Sequence, residues 1–232
     1  MENIDPAELA KFESLASRWW DPHSEFAPLH QINPLRVNYI RERVNLEGLR
    51  VLDVGCGGGI LTESLRRAGG AVTGIDAGAA PIAVARLHAR ANDLEIDYRH
   101  ITVESLLDSD ASRFDVICCL EMLENVPNPA QTIAACAELL KPGGDIFFST
   151  INRNLKSFVF AIVGAEYVLS LLPRGTHDYK KLIRPSELDS WARQAKLRLE
   201  HITGMHYNPF SKRYRLGDGV AVNYLTHYQK PA

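Results

Sequence analysis

The residues best suited to chemistry lie in a glycine-rich segment that follows an apolar run. Residues 51–60 read VLDVGCGGGI, so an apolar stretch ends in a turn that opens onto a helical pattern. Glycines in such a turn let the backbone approach a ligand where a Cβ atom would collide with it. Asp76 ends the next apolar run, 21 residues after Gly55. Because a carboxylate there can accept both ribose hydroxyls of an adenosine, the pattern predicts a site for a nucleoside-containing cofactor.

Two classes of cofactor fit this segment. Dinucleotide-binding turns follow the pattern GxGxxG and place a pyrophosphate at a helix N-terminus. Here the glycines follow GxGxG, with Ile60 where the third dinucleotide glycine would fall and Asp53 two residues before Gly55. An acid at that place repels a pyrophosphate and attracts a cation such as the sulfonium of S-adenosylmethionine. The pattern favours S-adenosylmethionine, with a dinucleotide-dependent oxidoreductase as the alternative.

Alternating strand and helix patterns must position these residues. The predicted strands are Arg50–Val54, Ala71–Ile75, Ile96–His100, Phe114–Leu120, Asp145–Thr150, Leu197–Gly204 and Val220–Tyr228. The predicted helices among them are Ile60–Arg67, Pro81–Ala91, Ala130–Leu140 and Pro185–Ala195. Strands that alternate with helices of this length form parallel βαβ units. We therefore expect an α/β, Rossmann-like fold with a mostly parallel seven-stranded sheet and helices on both faces.

Two more helices are predicted before the first strand. Asp5 is a suitable N-cap, and a proline follows at the first helical position, so a helix is expected over residues 5–20. The second helix is expected from Pro34 to about Val44. Together they form an N-terminal helical extension over residues 1–45.

A nearly uniformly apolar segment follows the fifth predicted strand. Residues 158–172 read FVFAIVGAEYVLSLL, and a basic stretch that ends in Lys180 and Lys181 comes next. A helix that is apolar on every side packs in a core or touches lipid or a partner. About 15 residues are too few to span a bilayer but enough to lie in its interface. Two interpretations therefore fit this segment. It is either a helix packed in the core or a lid or membrane-contacting insertion over residues 151–184. The two lysines are expected to be solvated or lipid-facing charges.

Composition and charge restrict the class of protein. The chain has 232 residues with ordinary glycine and proline contents, and its 26 basic and 28 acidic residues leave no cationic surplus for nucleic acid. The four cysteines lack metal-ligand spacing, which predicts reduced, buried thiols. Neither a secretory signal nor an apolar stretch of ~18 residues is found. We expect one cytoplasmic domain over residues 1–232, with the cofactor-binding core at 50–150 and the rest of the sheet at 185–232.

The sequence also resembles a known family. The segment VLDVGCGGG, the acid that ends the second strand and the KPGG turn before the fifth strand resemble the class I S-adenosylmethionine-dependent methyltransferases. Over essentially the whole chain, further segments resemble the ubiquinone-biosynthesis O-methyltransferase family. These segments are ASRWWD (16–21), INPLR (32–36), EMLENVP (121–127), FFSTINRN (147–154), VGAEY (163–167), LPRGTHDYKK (172–181) and HYNP (206–209).

The resemblance implies the cofactor contacts and the reaction. Contacts to S-adenosylmethionine are implied at Arg36, Gly55, Asp76 and Leu120, and Gly57 is taken with them as the next glycine of the turn. The implied reaction is methyl transfer to phenolic hydroxyls of polyprenylated ubiquinone precursors, 2-polyprenyl-6-hydroxyphenol and 3-demethylubiquinol, which covers both O-methylation steps. Because such a lipid substrate resides in the bilayer, the expected partners are an anionic membrane surface and other ubiquinone-biosynthesis proteins. The expected location is peripheral, at the inner face of the membrane.

Methylation of a phenol needs a base or a cation. A phenol with a pKa near 10 is only about one part in a thousand ionised at pH 7. Glu121 and Glu124 follow the fourth predicted strand, at the edge where parallel sheets bind ligands, and three residues apart they share one face of a helical turn. With Asn125 they could hold Mg²⁺, and Glu121 could act as the base.

One residue departs from the pattern of the family. The family commonly has a histidine after the second glutamate, where this chain has Asn125. Because asparagine cannot take a proton, His177 in the basic segment and His206 become the other candidate bases. The departure also leaves a non-catalytic, membrane-associated scaffold as a third functional hypothesis.

Overall fold

An eight-stranded sheet organises the residues that the computed structural model describes, 3–109, 113–154, 179–208 and 210–232. The strands are β1 (Arg50–Val54), β2 (Ala71–Asp76), β3 (Asp97–His100), β4 (Phe114–Leu120), β5 (Leu140–Ile151), β6 (Arg198–Asn208), β7 (Arg213–Gly217) and β8 (Asn223–Gln229). Their order is β3-β2-β1-β4-β5-β8-β6-β7. Strands β1 to β5 pair in parallel, whereas β8, β6 and β7 join as antiparallel strands. The Rossmann-like fold is confirmed, with eight strands rather than seven.

Helices cover both faces of this sheet. They are α1 (Pro6–Leu15), α2 (Ala27–Arg41), α3 (Ile60–Arg67), α4 (Ala79–Ala91), α5 (Val103–Ser109), α6 (Pro129–Leu139) and α7 (Pro185–Gln194). The alternation along β4 shows how the core is divided. Val116 and Cys118 pack with residues of α2 and α3, whereas Ile117 and Cys119 pack with residues of α5, α6 and α7. All four cysteines are buried free thiols, as predicted.

Helix α2 begins earlier than the sequence predicts. It starts at Ala27, and Pro34 lies inside it rather than at its first turn. An interior proline removes one backbone hydrogen bond and costs about 3 kcal/mol. The helix continues through it because Ile32, Tyr39 and Ile40 are buried against the sheet. The predicted start at Pro34 is therefore wrong.

Three further features differ from the prediction. The sequence predicts no strand at 213–217, yet β7 pairs with β6 as an antiparallel hairpin at the edge of the sheet. It also predicts no helix at α5. The KPGG segment is a bulge inside β5 rather than a turn before it, with Gly143 at φ 76° and its N–H bonded to the Lys230 carbonyl at 2.8 Å. The bulge lets β5 remain paired with β4 on both sides of it.

The structure describes some of the residues on which the membrane-related predictions rest. None of the helices in the described ranges is long and apolar enough to cross a membrane. The apolar segment 158–172 lies outside the described residues. Lys181, predicted as a solvated or lipid-facing charge, is ion-paired: its Nζ bonds the carboxylates of Asp5 at 2.8 Å and Glu8 at 3.1 Å.

Candidate functional site

A cavity of about 180 Å³ opens at the carboxyl ends of the parallel strands. This is the edge at which open α/β sheets bind ligands. All five predicted cofactor contacts line the cavity, namely Arg36, Gly55, Gly57, Asp76 and Leu120. Asp53, Glu121 and Asn125 line it as well. The structure therefore brings residues from α2, β1, β2 and β4 to one place.

The glycine-rich turn keeps its shape through positive φ angles and close side-chain neighbours. Gly55 and Gly57 have φ angles of 72° and 52°, which L-residues with side chains rarely adopt. A Cβ atom at Gly55 would overlap the Met122 side chain, and one at Gly57 would overlap the Trp19 ring. The glycines thus leave room for protein side chains beside the cavity as well as for a ligand.

Asp76 fixes the turn from the end of β2. One of its carboxylate oxygens accepts the Gly57 N–H at 2.9 Å and the other accepts the Gly78 N–H at 2.7 Å. Burial raises the pKa of Asp76, although these two hydrogen bonds oppose that shift. Each oxygen has a further lone pair, so the carboxylate can hold the turn and still accept hydroxyls of a ligand.

Arg36 carries an unsatisfied cation into the cavity. Its side chain is 6% exposed, and its Nη2 lies 3.3 Å from Glu121 Oε1 without a hydrogen bond. Within the described chain, the Nε and Nη2 atoms have no hydrogen-bond partner. A buried guanidinium with two open donors is a receptor for a carboxylate. The residues present therefore fit S-adenosylmethionine, whose methionine part carries one.

Asp53 lies beneath the glycine turn and is almost fully buried. The Thr62 hydroxyl donates to its Oδ2 at 2.6 Å. Burial raises the pKa of Asp53 to about 6, and the bond from Thr62 and the charge of Arg36 oppose this shift. Near neutral pH the carboxylate adds negative charge beside the cavity, which favours a cationic ligand over a pyrophosphate.

Two glutamates follow β4, each bonded to a hydroxyl on β5. Glu121 Oε1 accepts the Ser149 hydroxyl at 2.8 Å, and Glu124 Oε2 accepts the Thr150 hydroxyl at 2.7 Å. Burial and the nearby charge of Glu121 raise the pKa of Glu124 to about 8. The pKa of Glu124 is thus held above its usual range, and Glu121 lines the cavity. Both hydroxyls lie in the predicted strand Asp145–Thr150, but the sequence alone does not mark them as partners of the glutamates.

Each of the three candidate metal ligands bonds another group of the protein. Glu121 and Glu124 accept the hydroxyls of Ser149 and Thr150, and Asn125 Nδ2 donates to the Glu121 carbonyl at 3.2 Å. Because burial raises the pKa of Glu124, a cation bound there competes with a proton. A site at Glu121, Glu124 and Asn125 stays a prediction.

Of the two candidate histidines, the structure describes His206, which is not among the described residues that line the cavity. His206 lies on β6, where its Nε2 is 2.9 Å from the Asp218 carbonyl oxygen. His177 falls in the range 155–178, outside the described residues. Of the three candidate bases, Glu121 is the one whose position in the cavity is described.

An N-terminal cover, residues 3–26, closes one side of the cavity, which the sequence analysis did not anticipate. Asn3 is buried, and its Nδ2 donates to Glu104 Oε1 at 2.9 Å while its Oδ1 accepts the Asn128 N–H at 2.8 Å. Leu9 and Phe12 of α1 line the cavity. Helix α1 has no fully buried residue, but Phe12 and Leu15 pack against the cluster that contains Trp19. Lys181 bonds Asp5 and Glu8 at the N-terminal end of the helix.

Two adjacent tryptophans attach the cover to the glycine turn. The Trp20 indole N–H donates to the Gly58 carbonyl at 2.9 Å. Its ring stacks on His88 with 3.4 Å between centroids, and His88 Nδ1 lies 2.6 Å from Oε1 of the fully buried Glu63. The Trp-Trp pair at the end of a predicted helix was the available sequence signal, because tryptophans there need a surface to bury against.

Comparisons with known proteins agree with this geometry. A family model described as a methyltransferase domain matches residues 27–207. The ubiquinone biosynthesis O-methyltransferase of Hahella chejuensis is 62% identical over 231 residues, covering 100% of this chain and 97% of that protein. That of Nitrosococcus oceani is 60% identical over 228 residues, covering 98% and 97%. Neither match favours the oxidoreductase or scaffold alternative.

A solved structure supports the fold independently. The magnesium protoporphyrin IX methyltransferase of Synechocystis PCC 6803, solved with bound S-adenosylmethionine, superposes with a TM-score of 0.67. The alignment covers 99% of this chain and 100% of that one at 15% identity, so it supports the fold alone.

Proposed function

Because this chain belongs to the ubiquinone biosynthesis O-methyltransferase family, we propose that it methylates phenolic hydroxyls of polyprenylated ubiquinone precursors with S-adenosylmethionine as methyl donor. The proposed acceptors are 2-polyprenyl-6-hydroxyphenol and 3-demethylubiquinol, and the chain acts as one domain. The observation that carries the proposal is the buried guanidinium of Arg36. Two of its nitrogen atoms have no hydrogen-bond partner in the described chain, and it lines a cavity together with the glycine turn and Asp76.

The proposed cofactor contacts follow from the charges around the cavity. Arg36 pairs with the carboxylate of the methionine part, and Asp76 accepts the ribose hydroxyls. Gly55 and Gly57 present backbone, and Leu120 supplies an apolar wall. When bound, the sulfonium supplies an electrophilic methyl group that an oxygen can attack.

Glu121 is the proposed base for the acceptor hydroxyl. It lies at the end of β4 in the cavity, where Ser149 and Arg36 hold one of its oxygens. Removal of the phenolic proton overcomes a penalty of roughly 4 kcal/mol at pH 7, which follows from a pKa near 10. Holding the acceptor oxygen in line with the methyl group lowers the barrier further. His177 and His206 remain the alternative bases, and no step is assigned to a metal at Glu121, Glu124 and Asn125.

The proposed location is cytoplasmic and peripheral, at the inner face of the membrane. A polyprenyl tail keeps the acceptor in the bilayer, so the enzyme must reach the membrane surface. The apolar segment 158–172 is one proposed contact, and anionic lipid and other ubiquinone-biosynthesis proteins are the proposed partners.

Transfer of a radiolabelled methyl group to short-tail phenol and catechol analogues tests the function. We expect methylation of both analogues by the wild type and a loss of at least about a hundredfold in kcat for Glu121→Gln. Glu138→Gln, an exposed change on α6, is the matched control. An inactive wild type in the presence of donor would contradict the proposal. Full activity after thorough chelation would remove the metal hypothesis, whereas restoration by Mg²⁺ alone would revive it.

A further inference from the structure

The hairpin of β6 and β7 has an exposed aromatic tip. Phe210 is 97% exposed, more than Leu87 (71%) or Leu199 (36%), the other exposed large hydrophobic residues within the described ranges. The tip has a defined turn, because Asn208 Oδ1 accepts the backbone N–H groups of Phe210 at 2.9 Å and Ser211 at 3.2 Å. A hydrogen-bonded turn therefore holds the ring out toward solvent.

The outer face of this hairpin is cationic. Arg213 and Arg215 are exposed, while Tyr214 and Leu216, which alternate with them, turn to the opposite face, where they pack on the core beneath α2 and α3. Lys212 is exposed directly before them. Among the described residues, these three cations form no salt bridge. Phe210 and the three cations are named here the hairpin tip.

We propose that the hairpin tip docks onto the surface of an anionic lipid bilayer. An aromatic ring flanked by lysine and arginine suits the membrane interface, where the ring enters the headgroup region and the cations meet lipid phosphates. An acidic protein partner would need a broad contact of about 800 Å² on each side, whereas the apolar part of this tip is a single ring. The geometry therefore favours a bilayer.

The position of the hairpin suits delivery of a lipid acceptor. Tyr214, on the face opposite to the arginines, packs on the core cluster that contains Leu120, and Leu120 lines the cavity. The tip is thus on an element that packs against a wall of the cavity. This proposal rests on the proposed function, because a polyprenylated acceptor is what brings the enzyme to a bilayer.

Cosedimentation with vesicles tests the proposal with the full chain. Vesicles of phosphatidylglycerol and phosphatidylcholine are compared with vesicles of phosphatidylcholine alone. We expect wild-type binding to the anionic vesicles, reduced about fivefold or more by Phe210→Ala and at least about tenfold by the double variant Lys212→Glu/Arg213→Glu. Phe210→Trp should retain binding. The matched controls are Leu87→Ala and Arg90→Glu, exposed positions on α4 at the opposite edge of the sheet, which should bind as the wild type does.

Three outcomes would overturn the proposal. The first is unchanged vesicle binding by Phe210→Ala and by the double variant, each with the thermal unfolding of the wild type. The second is equal loss in the two α4 controls. The third is capture by immobilised polyglutamate without vesicle binding, which would assign the tip to an acidic protein. Methyl transfer to a soluble short-tail catechol is measured in parallel. Absence of methyl transfer would contradict the proposed function, whereas vesicle binding by the variants tests the role of the hairpin tip separately.

Discussion

Asp76 illustrates how one side chain serves both the fold and the proposed ligand. Its two oxygens hold the N–H groups of Gly57 and Gly78, and the same carboxylate lines the cavity. Asp76→Asn keeps one acceptor oxygen but loses the charge, so we expect binding of S-adenosylhomocysteine to weaken at least about tenfold, as for a charge-assisted hydrogen bond of ~1.5–3 kcal/mol. Titration calorimetry measures this. Asp97→Asn, an exposed acid on β3, should leave the affinity unchanged, and equal affinity for both variants would remove Asp76 from the site.

Glu124 should make the stability of the protein depend on pH. Its pKa is raised from 4.5 to about 8, chiefly by burial and then by the charge of Glu121. A carboxyl whose pKa is higher in the folded state binds its proton more tightly when folded. Its contribution to the free energy of unfolding is therefore complete below pH 4.5 and is lost as the pH rises toward 8.

Replacement by glutamine tests this dependence. Glu124→Gln cannot ionise, so between pH 5 and 8 its midpoint of thermal unfolding should fall less than that of the wild type. The difference should reach at least roughly 2–4 °C, the change that about 1 kcal/mol produces in a chain of this size. Calorimetric scans across this pH range measure it, with Glu138→Gln as the exposed control. Parallel pH profiles for wild type and Glu124→Gln would show that Glu124 is charged in the folded protein.

At the scale of residues, the sequence was sufficient to predict site residues whose positions depend on their neighbours along the chain. The glycine turn, Asp76 and Glu121 could be predicted because neighbouring residues along the chain determine their positions. The hydroxyl of Ser149 on Glu121 could not, since it depends on the register of β5 against β4. Nor could the packing of Trp19 against Gly57, which depends on the path of the chain before α2.

At the scale of elements, prediction failed where tertiary contacts override local preference. Pro34 indicates a helix start, yet α2 passes through it because burial of one face offsets the lost hydrogen bond. Strand β7 has charged residues at alternate positions and is only five residues long, so its pattern is weak until β6 pairs with it. Helices α3 and α6 and strands β1 and β4 could be predicted to within a residue, because their apolar periodicity matches their burial.

The N-terminal cover gives a prediction at this scale. Trp20 joins the cover to the glycine turn through its bond to Gly58 and its stack on His88. Trp20→Leu removes both contacts, and we expect the affinity for S-adenosylhomocysteine to fall roughly five- to tenfold, as for one hydrogen bond and one aromatic pair. Trp20→Phe keeps the stacking contact, so its affinity for S-adenosylhomocysteine should fall less than that of Trp20→Leu. Calorimetry measures both affinities, and wild-type binding by Trp20→Leu would show that the cover does not support the cofactor site.

At the scale of the whole molecule, contacts between distant parts of the chain hold the N-terminal cover in place. Lys181, which lies just before α7, bonds Asp5 and Glu8 of the cover, and Asn3 bonds residues near α5 and α6. The bond to Lys181 lowers the pKa of Asp5, and the pKa of Lys181 is raised in turn. A ligand held under the cover should therefore raise the free energy of unfolding of the whole protein, and not only order one loop.

This coupling makes thermal unfolding a test of the cofactor class. At one hundred times its dissociation constant, a ligand stabilises the folded state by about 2.7 kcal/mol. A chain of this size responds by about 2–4 °C per kcal/mol, so S-adenosylhomocysteine should raise the midpoint by roughly 5–11 °C. NADH should cause no rise, because Asp53 repels its pyrophosphate and the turn follows GxGxG. Stabilisation by NADH without a response to S-adenosylhomocysteine would contradict the methyl-donor site.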